Sequence, residues 1–148
     1  MSNDRQDGWF EGDAHIRPVR IYYEDTDFSG IVYHANYLRY FERGRTDFLR
    51  CAGVGHAELL EQDAPLVFAV SHMEIAFKTP ARIDDLLQVR TCYVGLKGAR
   101  LFIEQDILRG KDLIATAKVE AACLSKDGRP RRLPKALIEK VSAHMSQK

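Results

Sequence analysis

Apolar residues recur at two spacings along this chain, and the change from one to the other marks out its elements. Ile16, Val19, Ile21 and Tyr23 fall near a two-residue period with Pro18 among them. This predicts a first strand at a sheet edge, where a residue without an N–H is tolerated. The polar stretch EDTDFSG follows and reads as a turn closed by Gly30. From Tyr33 to Ala52 the spacing becomes helical: Tyr37, Phe41, Phe48 and Ala52 recur, joined by Leu38, Arg45 and Leu49. Gly44 inside this helix costs about 1 kcal/mol against alanine, so its presence predicts close approach of another backbone. Gly53 and Gly55 stop the helix, and a short helical turn is expected at His56–Glu61.

Beyond Pro65 the two-residue period returns. Phe68 and Val70 alternate in one phase, Met73, Ile75 and Phe77 in the other, which predicts a bulge near Ser71 and His72. Strands are then expected through Leu87–Tyr93, Ala99–Ile107 and Leu113–Cys123, with turns at Lys97-Gly98, Gly110 and Asp127-Gly128. Leu137, Ile138, Val141 and Met145 mark a C-terminal amphipathic helix after Pro134. One apolar helix followed by a meander packs most economically with the sheet curled around the helix, an α+β arrangement. The uncovered face and edge of such a sheet call for an oligomer. Residues 1–13 read as a flexible leader in which Trp9 and Phe10 are the bulky apolar groups, with one domain over 14–148.

Composition narrows the function classes. The net charge of +1 on 148 residues provides no global field to attract nucleic acid, so none is expected as a partner. The start of the chain lacks the apolar stretch of a signal peptide, and no segment reaches the roughly 18 apolar residues of a membrane span, so a cytoplasmic location is expected. Cys51, Cys92 and Cys123 are odd in number and fit neither a zinc nor a disulfide spacing; they are expected to be reduced and mostly buried.

Candidate chemistry concentrates in YYEDTDFSGIVYHANYLRYFERGR, residues 22–45. Glu24, Asp25 and Asp27 crowd the end of the first strand, and His34 stands at the start of the long helix. A helix N-terminus offers free N–H groups that polarise a carbonyl, and a carboxylate set just before it can attack that carbonyl or take a proton from water. The same acidic residues also serve as ordinary helix caps and turn formers. From spacing alone both readings stand.

Here the segment resembles the 4-hydroxybenzoyl-CoA thioesterase family, in particular its branch of Tol–Pal-associated acyl-CoA thioesterases. The matching residues are Tyr23, Asp25, Asp27, Gly30, Val32, His34, Tyr37, Phe41, Glu42 and Arg45, and the likeness continues through FKTPARIDDLLQVRT, ARLFIEQDI and RRLPKAL, over roughly residues 15–138. The resemblance implies a hotdog fold, an antiparallel sheet of five or six strands around one long central helix. It implies hydrolysis of an acyl-CoA with Asp27 as nucleophile or general base, the His34 backbone N–H polarising the thioester, and the side chains of His34 and Tyr23 lining the same site. Asp25 is read as support for the turn. Gly30, Val32, Tyr33, Tyr37, Lys78 and Arg100 are the expected substrate-binding positions. Neither cofactor nor metal is assigned. A homodimer or homotetramer with sites between subunits is implied, and peripheral association with an envelope complex is left open. Phe28-Ser29 departs from the branch, which tends to have small residues there.

Other readings remain at this stage: a dehydratase working through a His–carboxylate pair, an acyl-binding or scaffolding protein without hydrolase activity, and a metal site of Asp25, Asp27 and His34. Lys78, Arg82, Lys97 and Arg100 at strand ends, and the basic run Lys126, Arg129, Arg131, Arg132 and Lys135, are candidates for phosphate or anionic-surface contact against plain solvated charge. His15, His56, His72 and His144 have no partners visible in sequence and read as structural or surface residues.

Overall fold

The computed structural model describes residues 6–145. Six strands, β1 (Trp9–Glu11), β2 (Ala14–Arg20), β3 (Leu66–Phe77), β4 (Leu86–Lys97), β5 (Arg100–Arg109) and β6 (Asp112–Ser125), form one sheet. Its spatial order is β1-β2-β4-β5-β6-β3, with every neighbouring pair antiparallel. Three helices accompany it: α1 (His34–Cys51), α2 (His56–Glu61) and α3 (Lys135–Ser142). None of the helices among the described residues is long and apolar enough to cross a membrane.

The α1 helix packs across β2, β4 and β5. Phe41 and Phe48 on its inner face are fully buried against Ile21, Leu87, Val89, Leu101 and Ile103. Burial of side chains this size stabilises by about 1.5–3 kcal/mol each. Gly44 occupies the point of closest approach. A Cβ built there would lie 2.7 Å from both Thr91 Oγ1 and Val89 Cγ1, so only glycine lets the helix sit this low on β4. The carbonyl-rich back of α1 is satisfied from the sheet: Gln105 Nε2 donates to Phe41 O at 2.8 Å and to Thr91 Oγ1 at 2.9 Å. Buried Asp47 accepts from Arg17 Nε at 2.5 Å and also pairs with Arg50.

The strand β3 is one edge of the sheet, and its register shifts between Val70 and His72, where the phase of the apolar positions changes. The expected six-strand limit, long helix and C-terminal helix are all present, so the chain has the α+β hotdog arrangement. Three sequence expectations are corrected. Within the expected leader, residues 9–11 form β1 on β2, and Phe10 packs edge-on to Phe48 and stacks on His144 at 3.8 Å; residues 1–5 lie outside the described residues. Because β1 pairs only with residues 14–16, Pro18 still lies where β2 is the edge. Tyr23 leaves the strand and enters a short 3-10 helix, Tyr23–Asp25. Of the cysteines, only Cys123 is buried; Cys92 is half-buried and Cys51 exposed.

Candidate active site

The loop between β2 and α1 is a small hairpin built from its own polar groups. Asp25 turns its carboxylate back to accept the Tyr22 N–H at 2.7 Å, which fixes the 3-10 helix. Thr26 bridges Val32, and the Asp27 N–H donates to Ile31 O at 2.9 Å, which closes the hairpin around Phe28–Gly30. Gly30 takes φ +85°, a left-handed conformation that side chains resist, and its N–H donates to Asp27 O at 3.1 Å. The returning limb is tied down at both ends. Val32 N–H donates to Ala81 O at 2.8 Å, and Tyr33 N–H and Asn36 Nδ2 both donate to Asp25 O, at 3.0 and 2.8 Å. Asp27 and the start of α1 are thereby held at the two ends of one rigid loop.

At the tip of this loop the Asp27 carboxylate is half-exposed and its Oδ1 accepts twice from Ser29, from the hydroxyl at 2.5 Å and from the N–H at 2.8 Å. The hydroxyl bond, followed by the N–H bond, holds the Asp27 carboxyl below the usual carboxylate range. At neutral pH the group is an anion, and the Ile31 and Gly30 N–H groups act on it in the same direction as Ser29.

The α1 helix begins without a side-chain cap from Tyr33. The Asn36 N–H turns back to Tyr33 O at 2.8 Å. His34 and Ala35 are thus first-turn residues whose N–H groups lack an intrahelical acceptor, at the positive end of the helix dipole. Beside this terminus is a pocket lined by Val32, His34, Tyr37, Phe77, Lys78 and Pro80. The His34 ring meets the Tyr33 ring at 4.7 Å and the edge of Phe77 at 6.1 Å. Tyr37 is buried, and its phenol oxygen accepts the Ala81 N–H at 3.1 Å. Burial raises the Tyr37 pKa, so it stays a neutral wall of the pocket.

Of the expected site residues, Asp27, Gly30, Val32, Tyr33, His34, Tyr37 and Lys78 come together around the loop and this pocket. Two do not. The Tyr23 ring, on the first residue of the 3-10 helix, stands 82% exposed and lines no part of this pocket. Arg100 pairs with Ala122 on β6, whereas Lys78 bonds Ile114 on the same strand. That separation is about 26 Å along the strand. Within one protomer Arg100 is at the far end of the sheet, ion-paired with Glu120 at 3.4 Å. Phe28 is fully exposed at the loop tip. Three contributors escaped sequence reasoning: Ser29, which grips Asp27; Asn36, which ties α1 to Asp25; and Phe77, the pocket wall. Asn36 had a detectable signal, a short amide side chain in a first helical turn, a common place for local backbone bonding. Among the described residues no group of three or more His, Cys, Asp or Glu side chains is arranged to hold a metal ion.

Comparison with known proteins bears on this geometry. The sequence profile of the thioesterase-like superfamily matches residues 21–141. The acyl-CoA thioesterase YbgC of Haemophilus influenzae is 44% identical over 107 residues, covering 72% of this chain and 78% of that protein. The acyl-CoA thioester hydrolase YbgC of Escherichia coli is 37% identical over 123 residues, covering 82% of this chain and 90% of the other. A crystal structure of a probable thioesterase from Bartonella henselae superposes with a TM-score of 0.80 at 50% identity, over 82% of this chain and 99% of that one.

Proposed function

The chain belongs to the thioesterase-like superfamily and is an acyl-CoA thioester hydrolase, and from that premise we propose that Asp27 is its catalytic carboxylate and the α1 N-terminus its oxyanion site. The observation that carries the assignment is the rigid loop that ends in an ionised Asp27 on one side and the free N–H of His34 on the other. A thioester carbonyl oxygen placed on the His34 N–H meets the positive end of α1. Charge that develops on that oxygen is stabilised there, which is where such donors act most strongly. Asp27 Oδ2 then either attacks the carbonyl carbon, giving an acyl anhydride that water opens, or removes a proton from a water that attacks directly. In both routes the C–S bond breaks, coenzyme A leaves as a thiolate and takes up a proton, and the free acid is released. A thiolate leaves readily, so no separate strong acid is required of His34. Its ring, with Tyr37 and Phe77, shapes the mouth of the acyl pocket.

Replacement of Asp27 by Asn removes the anion and keeps the size. Thiol release from an acyl-CoA panel is expected to fall by at least about 100-fold, the scale of one positioned acid–base group, with the folded far-UV spectrum retained. Wild-type turnover in Asp27→Asn would overturn the assignment. Label found in the Asp27 side chain after a single turnover in oxygen-labelled water would identify the anhydride route, because label enters there only when an anhydride is opened at that carbon.

We further infer a dimeric or tetrameric cytoplasmic enzyme. Its support is the open β3 edge, with Val70 and Phe77 about half exposed, because an apolar edge strand is normally covered by a partner. Association with an envelope complex rests on the sequence resemblance alone. Static light scattering tests the assembly.

A further inference from the structure

A second cavity, of about 110 Å³, lies beneath the C-terminal half of α1 and is unused by the chemistry above. Its walls are mostly apolar, from Leu49, Phe68, Leu101 and Ile103, and its polar end is Arg45, with His56 beside it and Glu42 also lining it. The Arg45 guanidinium is fixed in place. Its Nη1 donates to Gln105 Oε1 at 3.0 Å, and Gln105 is itself locked by Phe41 O and Thr91. The Arg45 main-chain oxygen accepts from Tyr93 at 3.3 Å. No carboxylate lies within ion-pair distance of Arg45 among the described residues. Glu42 is exposed and acts on Arg45 only at longer range, where water screens it. A cation drawn out of water and left without a counter-charge is costly, and burial pulls the Arg45 pKa down accordingly. Burial also lowers the His56 pKa, so that ring is neutral at neutral pH and adds no positive charge beside Arg45.

This cavity is aligned with the active site. Residues 34 and 45 are separated by about three helical turns, which puts both on one face of α1 about 16 Å apart. Both cavities also border β3, the first at Phe77 and the second at Phe68–Val70, while α1 itself packs over β2, β4 and β5. The two cavities thus lie along one side of α1 and β3, with Ile75 and Met73, which pack against the core, between them on the strand.

We propose that Arg45 is a specificity-determining residue that receives a carboxylate at the far end of the acyl chain, so that the preferred substrates are ω-carboxyacyl-CoAs of medium length. The assignment rests on the thioesterase reading and deepens it. A charged hydrogen bond to a fixed guanidinium is worth about 1.5–3 kcal/mol, equivalent to about 10- to 150-fold in specificity.

The test compares kcat/KM for octanedioyl-, decanedioyl- and dodecanedioyl-CoA with that for octanoyl-, decanoyl- and dodecanoyl-CoA, by thiol release from the wild-type chain. At one length the dicarboxylic substrate is expected to win by at least about tenfold. In Arg45→Met the ratio is expected to collapse toward unity, and in Arg45→Lys to keep part of its value, because an ammonium is a charge without the planar fork. Should neither variant fold, the wild-type ratios alone decide. Monocarboxylic substrates cleaved as well as or better than dicarboxylic ones at every length overturn the inference while leaving the thioesterase intact. Release of thiol from none of the six overturns the inference, and turnover of short-chain and aromatic acyl-CoAs then decides the thioesterase reading separately. An Arg45→Met chain with altered oligomeric mass and unaltered selectivity also overturns it, assigning Arg45 to assembly.

Discussion

Ser29 donates both its hydroxyl and its backbone N–H to the same oxygen of Asp27, at 2.5 and 2.8 Å. The bonds keep that carboxyl ionised below its ordinary pKa of 3.8. In Ser29→Ala the hydroxyl bond, the larger of the two effects, is lost. The Asp27 pKa then rises toward the ordinary value, and the acidic limb of the kcat/KM profile moves to higher pH. A pH–rate series on both proteins checks this; superimposable acidic limbs would show that Ser29 does not govern the charge on Asp27.

Gly44→Ala pushes a methyl into Thr91 and Val89, both 2.7 Å away from its position. The atoms it meets belong to short β-branched side chains of β4 and to Gln105 at 3.0 Å, which two hydrogen bonds hold in place. The variant is expected to lose about 1–3 kcal/mol of stability, the range for overpacking, visible as a lower urea midpoint with an unchanged slope.

His15 is fully buried against Phe10 and Phe48, and burial lowers its pKa from the ordinary 6.5. The folded chain therefore favours the neutral ring more strongly than the unfolded chain does. The corresponding stability is complete above pH 6.5 and is lost as pH falls through the lower folded value, where the unfolded state binds the extra proton. Unfolding free energy measured from pH 7.5 to 5 should decline, and His15→Phe should flatten that decline. A His15→Phe slope equal to that of the wild type would place the proton uptake elsewhere.

Tyr37→Phe removes the oxygen that accepts the Ala81 N–H. A buried donor left unpaired costs about 1–3 kcal/mol. Because Ala81 O also receives Val32 N–H, the loosened segment borders the catalytic loop. A rise in KM is expected alongside the lower thermal midpoint. Calorimetry with steady-state kinetics checks both, and an unchanged midpoint would contradict the buried-donor argument.

Much of the fold was legible because strong periodicity is a local signal. The helical spacing of Tyr37, Phe41 and Phe48 placed α1 within a residue of its ends, and the phase change after Val70 marked the bulge. Gly44, anomalous in a helix, correctly announced a close contact. What stayed hidden depends on partners distant in sequence or on three-dimensional reach. Trp9–Glu11 is a strand only because β2 turns back to pair with it, and Phe10 finds its stacking partner at His144. Lys78 and Arg100 look alike as cations at strand ends, and only the register on β6 separates them to opposite ends of the sheet. The acidic cluster was visible as a candidate site, but spacing could not distinguish its members. Asp25 spends its carboxylate on the Tyr22 N–H, whereas Asp27 takes both Ser29 donors on a single oxygen.

The stack of Phe10 on His144, nearly parallel with both rings against Phe48, brings residues near the two ends of the described chain to one spot on α1. Chain connectivity at that spot is thus interchangeable with connectivity elsewhere. A short linker joining the two ends, with new termini opened at the Gly110 turn, would yield a circular permutant that keeps each strand's neighbours and the order β1-β2-β4-β5-β6-β3.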